Sequence, residues 1–165
     1  MNEIIACEQG QRLRRKVNLR SDMRPKKRAV VATLQTGLKS TFLDALTPRE
    51  IRAFLKSARS VRISPHEVLQ QEGEPADRLC LLATGRVAVY RLRGDGNKLF
   101  LRWGKPGDAF GLATVVRAPA RYLVTIEAVQ EGSILVWDLG ACQALISRCP
   151  GLCKAVNWAV SKISR

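Results

Sequence analysis

Gly104-Lys105-Pro106-Gly107-Asp108-Ala109-Phe110-Gly111, followed eleven residues on by Tyr122-Leu123-Val124-Thr125-Ile126-Glu127-Ala128, is the stretch on which the fold turns. Three glycines and a proline in eight positions read as a turn, because glycine accepts the positive φ that tight turns need and proline gives up a backbone donor. In the second piece Tyr122, Val124, Ile126 and Ala128 recur at every other residue, which puts them on one face of a strand. The pair reads as a glycine-opened pocket lip feeding a strand.

Outward from this stretch the same period continues. Strand-like runs lie near 60–64, 67–71, 79–83, 86–92, 98–103, 122–129 and 132–137, separated by turn residues at a spacing of about 8 to 12, the rhythm of a sandwich or barrel. Gly94-Asp95-Gly96-Asn97 predicts a hairpin turn. On the strand after it, Leu99, Leu101 and Trp103 are expected on one face and Lys98, Phe100 and Arg102 on the other. Before the strands, Thr47-Pro48-Arg49-Glu50 is a capping box with proline in the first helical position, and Ile51, Phe54, Leu55 and Ala58 form one apolar stripe. Phe42, Leu43 and Leu46 predict a short preceding turn of helix on the same core. Helical runs follow at about 139–147 and 152–164. In the second, Leu152, Val156, Ala159 and Ile163 form a seam with two readings open, packing on the chain's own barrel or pairing with a second copy as a homodimer. The fold class is mainly β, an antiparallel barrel or jelly roll with an N-terminal helix and C-terminal helices.

Two motifs carry a resemblance. Leu79-Cys-Leu-Leu-Ala-Thr-Gly-Arg-Val-Ala-Val-Tyr-Arg91 resembles the strand, glycine turn and strand of the cyclic-nucleotide-binding fold, a double-stranded β-helix or jelly roll. Gly85 would make the sharp turn, with Val87 and Val89 facing inward. Gly104–Gly111 with Tyr122–Ala128 is similar to the phosphate-binding cassette of Crp-Fnr transcription regulators and the strand that follows it, and the resemblance spans residues 42 to about 163. It implies a non-catalytic sensor domain that binds a small-molecule effector. In that family Phe-Gly-Glu opens a short helix whose backbone N–H groups face the cyclic phosphate.

The match implies a candidate pocket of Phe110, Gly111, Leu112, Ala113, Arg117, Arg121, Tyr122 and Thr125. Two of its side chains depart from the family. Leu112 stands where the family Glu holds the ribose hydroxyl, and Tyr122 where the family Arg pairs with the phosphate, with Arg121 one residue earlier and so on the opposite strand face. Losing such a charge-assisted contact costs about 1.5–3 kcal/mol. The cofactor is therefore unknown: a cyclic nucleotide would bind without its Glu and Arg. Arg117 and Arg121 bracket Pro119 and, with the Gly111 backbone, could hold an anion; the plainer reading is a solvated loop. Family regulators continue through a dimer helix into a helix-turn-helix domain, whereas this chain ends at Arg165, so no sequence-specific DNA binding is expected of it alone.

Charge adds a competing reading. The chain carries a formal +14, and the segment 1–40 holds ten Lys/Arg against Glu3, Glu8 and Asp22. It reads as a flexible arm, with Arg14, Arg15, Lys16, Lys26, Lys27 and Arg28 as nucleic-acid contacts whose affinity would fall with salt. No aromatic side chain lies among them to stack on bases. An interaction domain with an empty barrel is a further alternative. The expected division is an arm over 1–40, the barrel domain over 41–150 and a terminal dimerisation helix over 151–165. Cys7, Cys80, Cys142, Cys149 and Cys153 lack the paired close spacing of a zinc or iron-sulfur site and read as thiols in a reducing compartment, and no metal site is expected. His66 is the one histidine, after Pro65 in a turn, where simple exposure is a better reading than haem ligation. No nucleophile-base set, Walker loop or carboxylate pair suggests an enzyme. With no apolar run approaching about 20 residues and charged Glu3 and Glu8 at the start, the expectation is a cytoplasmic protein without a membrane span.

Overall fold

Helix α1 (Pro48–Ser57) begins at the expected cap: Thr47 Oγ1 accepts from the Glu50 N–H at 3.3 Å, and Glu50 Oε2 accepts from the Thr47 N–H at 2.9 Å. Phe42, Leu43 and Leu46 flank a 3-10 turn at Leu43–Ala45 and are buried. The structure, a computed structural model, describes residues 40, 42–112 and 121–163, the last helix by its backbone alone beyond Asn157.

Six strands follow among the described residues: β1 (Arg59–Ile63), β2 (Val68–Gln70), β3 (Arg78–Leu92), β4 (Lys98–Gly104), β5 (Ala109–Phe110) and β6 (Thr125–Asp138). They form one antiparallel sheet in the order β1-β6-β3-β4, with β2 on β6 and β5 on β3, rolled as a jelly roll but not closed into a strict barrel. The expected runs 79–83 and 86–92 are thus a single strand, as are 122–129 and 132–137 less their first three residues, and β5 is an addition. The reason lies in tertiary pairing. β3 and β6 pair from Arg78↔Asp138 to Tyr90↔Thr125, and where the sequence signals a turn the two strands bend together. Gly85 sits at φ +93° beside Gly132, and a Cβ on Gly132 would run into the Thr84 carbonyl. The turn glycine has become half of a paired bulge that bends the sheet without ending it.

Both faces of the central strands are covered, so their runs read as continuously apolar. Leu79 and Leu81 of β3 and Leu135 and Trp137 of β6 face a cluster under the helices with Phe54, Leu55, Leu145 and Leu152. Their neighbours Cys80, Leu82, Ile134 and Val136 face a second cluster inside the roll with Val87, Val89, Phe110 and Ile126. Trp137 stacks on Phe54 with ring centroids 4.0 Å apart and donates from Nε1 to Phe54 O at 3.0 Å.

Strand β4 corrects the expected alternation. Tyr90 pairs with Phe100 and Val89 with Arg102, so Leu101 is an extra residue and the faces exchange across it. Phe100 and Trp103 therefore meet, ring centroids 4.8 Å apart, instead of facing away from each other.

Helix α2 (Leu139–Arg148) is capped by Asp138, whose Oδ1 accepts from the Ala141 N–H at 2.9 Å, and α3 (Pro150–Ile163) starts on proline, which fits the first helical position. Leu152 and Val156 are each 2% exposed in the chain's own core. For these two residues the packing accords with the first of the two readings, a seam against the chain's own roll; the side chains of Ala159 and Ile163 lie outside the described residues.

Candidate functional site

Of the residues singled out around the lip, Phe110, Gly111, Arg121, Tyr122 and Thr125 converge on one segment, Glu72–Cys80, between β2 and the start of β3. Gly111 adopts φ +80° directly against the Arg78 carbonyl, an approach that leaves no room for a Cβ. Phe110 pairs opposite Cys80 and is buried inside the roll, with the Arg102 guanidinium 5.5 Å from its ring centre. Leu112 is 5% exposed and belongs to the cluster under the helices, on the other side of the sheet from Phe110. Its apolar side chain takes the drier environment among the leucines of that cluster.

Tyr122 is buried and zipped to the loop ahead of β3. Its N–H donates to Glu74 O at 2.9 Å, its carbonyl accepts from the Gly73 N–H at 2.8 Å, and its hydroxyl accepts from the Arg78 N–H at 3.3 Å. The one phenolic proton is shared between Asp77 Oδ1 and Arg78 O, each at 3.2 Å. Burial pushes the phenol above its ordinary pKa, so it remains a neutral donor. The Arg78 guanidinium, donating from Nε and Nη2 at 2.8 Å, holds the Asp77 carboxyl below its usual range. Arg121 is exposed and donates from Nη1 to Gly73 O at 2.6 Å, and Thr125 Oγ1 accepts from the Glu72 N–H at 3.0 Å. Glu72 in turn accepts from Leu92 N at 2.9 Å and Arg91 Nε at 2.8 Å, tying the loop to the far end of β3.

Beside Tyr122 opens a cleft of about 360 Å³, lined by Val68–Gln71, Glu74–Pro75 and Asp77–Arg78. None of these cleft residues but Tyr122 was singled out from the sequence. The signal it offered was Glu72-Gly73-Glu74-Pro75-Ala76-Asp77-Arg78, four charges packed around a glycine and a proline. Ala113 and Arg117 lie outside the described residues, as do Arg14, Arg15, Lys16, Lys26, Lys27 and Arg28 of the arm.

Other candidates fall elsewhere. His66 sits at φ 71° with its side chain 86% exposed and Nδ1 3.5 Å from Glu127 Oε1. Cys80, Cys142 and Cys149 are buried free thiols, and burial pushes those of Cys80 and Cys142 up to about 12. Cys153 is exposed. Among the described residues no three or more His, Cys, Asp or Glu side chains gather as a metal site.

Residues 60–149 match the family model of the cyclic nucleotide-binding domain. The anaerobic regulatory protein of Bacillus subtilis is 29% identical over 46% of this chain and 32% of its own length. The transcriptional activatory protein AadR of Rhodopseudomonas palustris is 35% identical over 41% of this chain and 28% of its own. The chain thus matches about a third or less of each of these relatives. The crystal structure of the sensor domain of the transcriptional regulator DNR from Pseudomonas aeruginosa superposes with a TM-score of 0.65 at 22% identity, covering 82% of this chain and 89% of that one, a likeness of fold.

Proposed function

Since the chain belongs to the cyclic nucleotide-binding domain family, with Crp-Fnr transcription regulators among its homologues, we propose that it is the sensor domain of such a regulator, binding a small effector without catalysis and without the ribose and phosphate contacts of a cyclic nucleotide. The observation that supports this reading is where the two altered side chains go. Leu112 is in the core under the helices, and the Tyr122 hydroxyl is committed to Asp77 and Arg78, so neither side chain is offered to a ribose or a phosphate. A cyclic phosphate entering here would give up water for no charged partner at these positions, an uncompensated loss of about 2 kcal/mol.

The effector would enter the cleft beside Tyr122. Its signal would leave through α2 and α3, which follow directly on β6. The N-terminus of α3 is held to α1 by Glu50 Oε1, which accepts from the Gly151 N–H at 2.9 Å. An effector that binds one setting of this contact more tightly than another would shift the direction of α3. The division into arm, roll and terminal helix, and a cytoplasmic location, belong to the same proposal; no helix among the described residues is long and apolar enough to cross a membrane.

The test is a melting screen of the full chain against cyclic AMP, cyclic GMP, small inorganic anions and haem. No shift with either cyclic nucleotide is expected, together with a rise for an effector that is lost on altering Tyr122. A rise with cyclic AMP, unaffected by Leu112→Glu, would overturn the reading.

A further inference from the structure

The extra residue Leu101 brings Phe100 and Trp103 to one face of β4, and that face is open. Tyr90 pairs with Phe100 and Ala88 with Trp103, so both rings stand on the side of the sheet away from Val87 and Val89, which line the roll. The rings are tilted by 56° to each other and are 49% and 51% exposed. Leu92, two residues from Tyr90 and so on the same face, is 38% exposed. Single exposed apolar side chains are ordinary, but a group of them rimmed by polar residues marks an interaction surface. The charges around the rings say of what kind. Between Arg86 and Lys105 the chain carries six basic residues against Asp95 alone. Arg91, Lys98 and Arg102 are taken up by Glu72, Glu127 and Asp108. Arg86, Arg93 and Lys105 make no ion pair among the described residues, and the Arg86 guanidinium lies 5.9 Å from the Trp103 ring centre.

Exposed rings beside unpaired cations suit a single nucleic-acid strand, whose bases stack on aromatic side chains while its phosphates meet arginine and lysine. A duplex keeps its base faces inside its own stack, and a second copy of this chain would bring the same excess of cations to the same place. We propose that the outer face of β3 and β4 binds single-stranded nucleic acid, with bases stacked on Phe100 and Trp103 and a backbone phosphate held by Arg86. Arg93 and Lys105 add positive charge at the two ends of β4. The platform supplies the stacking that the basic arm lacks, and it shares no residue with the cleft beside Tyr122.

The experiment titrates the full chain into a fluorescent thymidine oligonucleotide of about 12 nucleotides and follows anisotropy at several salt concentrations. Phe100→Ala/Trp103→Ala should weaken binding at least about tenfold, and Phe100→Tyr/Trp103→Phe, which keeps the rings, should restore most of it. Arg86→Ala should weaken binding and flatten its salt dependence. A duplex of the same length, held by charge alone, should bind the wild type and the alanine variant equally. No binding of the oligonucleotide by the wild type, or equal affinity for the wild type and the alanine variant, would overturn the proposal. Competition by polyglutamate as strong as by the oligonucleotide would overturn it in favour of an acidic protein partner on the same face.

Discussion

The two halves of β3 end in regions of opposite character. At Arg78 the described lip residues are packed and bonded beside the cleft: a glycine is pressed against a carbonyl, a tyrosine hydroxyl is bonded to the loop ahead of β3, and Leu112 is sunk in the core. At Leu92 the partner strand β4 leaves its leucines and aromatics about half exposed. The bonded region carries the motif on which the resemblance rests, and the exposed region does not. Residue type alone does not make a site; what counts is whether neighbouring groups have already satisfied it.

The largest effect should come from breaking the packed lip at its backbone. Gly111 and Gly96 share nearly the same φ, +80° and +81°, but a Cβ meets the Arg78 carbonyl at Gly111 and nothing within 4 Å at Gly96. Gly96→Ala should cost only the strain of a left-handed alanine, about 1 kcal/mol, while Gly111→Ala adds a clash that backbone must absorb, for about 3 kcal/mol or more in denaturant unfolding. Equal losses would mean that the lip is as loose as the hairpin. Next comes Leu112→Glu. Restoring the carboxyl that the family motif carries should destabilise by about 3 kcal/mol at pH 7, because it buries an unpaired charge among leucines. Burial raises the pKa of such a carboxyl above its unfolded value, so the deficit grows as pH rises through that value and shrinks toward about pH 3, where the group is neutral in both states. A variant as stable as the wild type would place residue 112 in a solvated pocket after all. Tyr122→Phe is milder: losing a hydroxyl bonded to Asp77 and Arg78 should cost about 1 kcal/mol, with the ring still filling its place.

How much of this was legible depends on whether a feature is set locally. The Thr47–Glu50 cap, the Gly94–Asn97 hairpin and the burial of Val87, Val89, Ile126 and Ala128 follow from neighbours in sequence, and all are present. Gly85 was legible as a bend but not as a bend inside one long strand, since that depends on Gly132 arriving from 47 residues away. Leu101 could not be seen as a bulge, because a two-residue period is interrupted only by the partner's register. At the site, Tyr122 and Leu112 stood out in the sequence as departures from the motif. Their answer in the Glu72–Arg78 loop needed the fold, for the hydrogen bonds span 44 and 45 residues.

The smallest effect probes the open region, at the charged contact that ties the start of β4 to β6. Lys98 Nζ donates to Glu127 Oε2 at 2.8 Å and lies 4.5 Å from the Tyr90 ring centre, while Tyr90 Oη donates to the same carboxylate oxygen at 2.9 Å. Burial pushes the Glu127 carboxyl upward, but the hydrogen bonds from Lys98 and Tyr90 outweigh it and hold the pKa below its ordinary value. A carboxylate with a lowered folded pKa contributes stability that is fully present above about pH 4.5, its unfolded value, and is lost as pH falls through the folded one. Glu127→Gln keeps the shape and a polar partner for Tyr90, and because Lys98 is half exposed the loss at pH 7 should stay under about 1 kcal/mol. In thermal melts the variant and wild type should converge toward pH 3. A deficit that persisted at pH 3 would show that Glu127 holds β4 by packing and not by charge, and the contrast with the hydrogen-bonded lip would narrow.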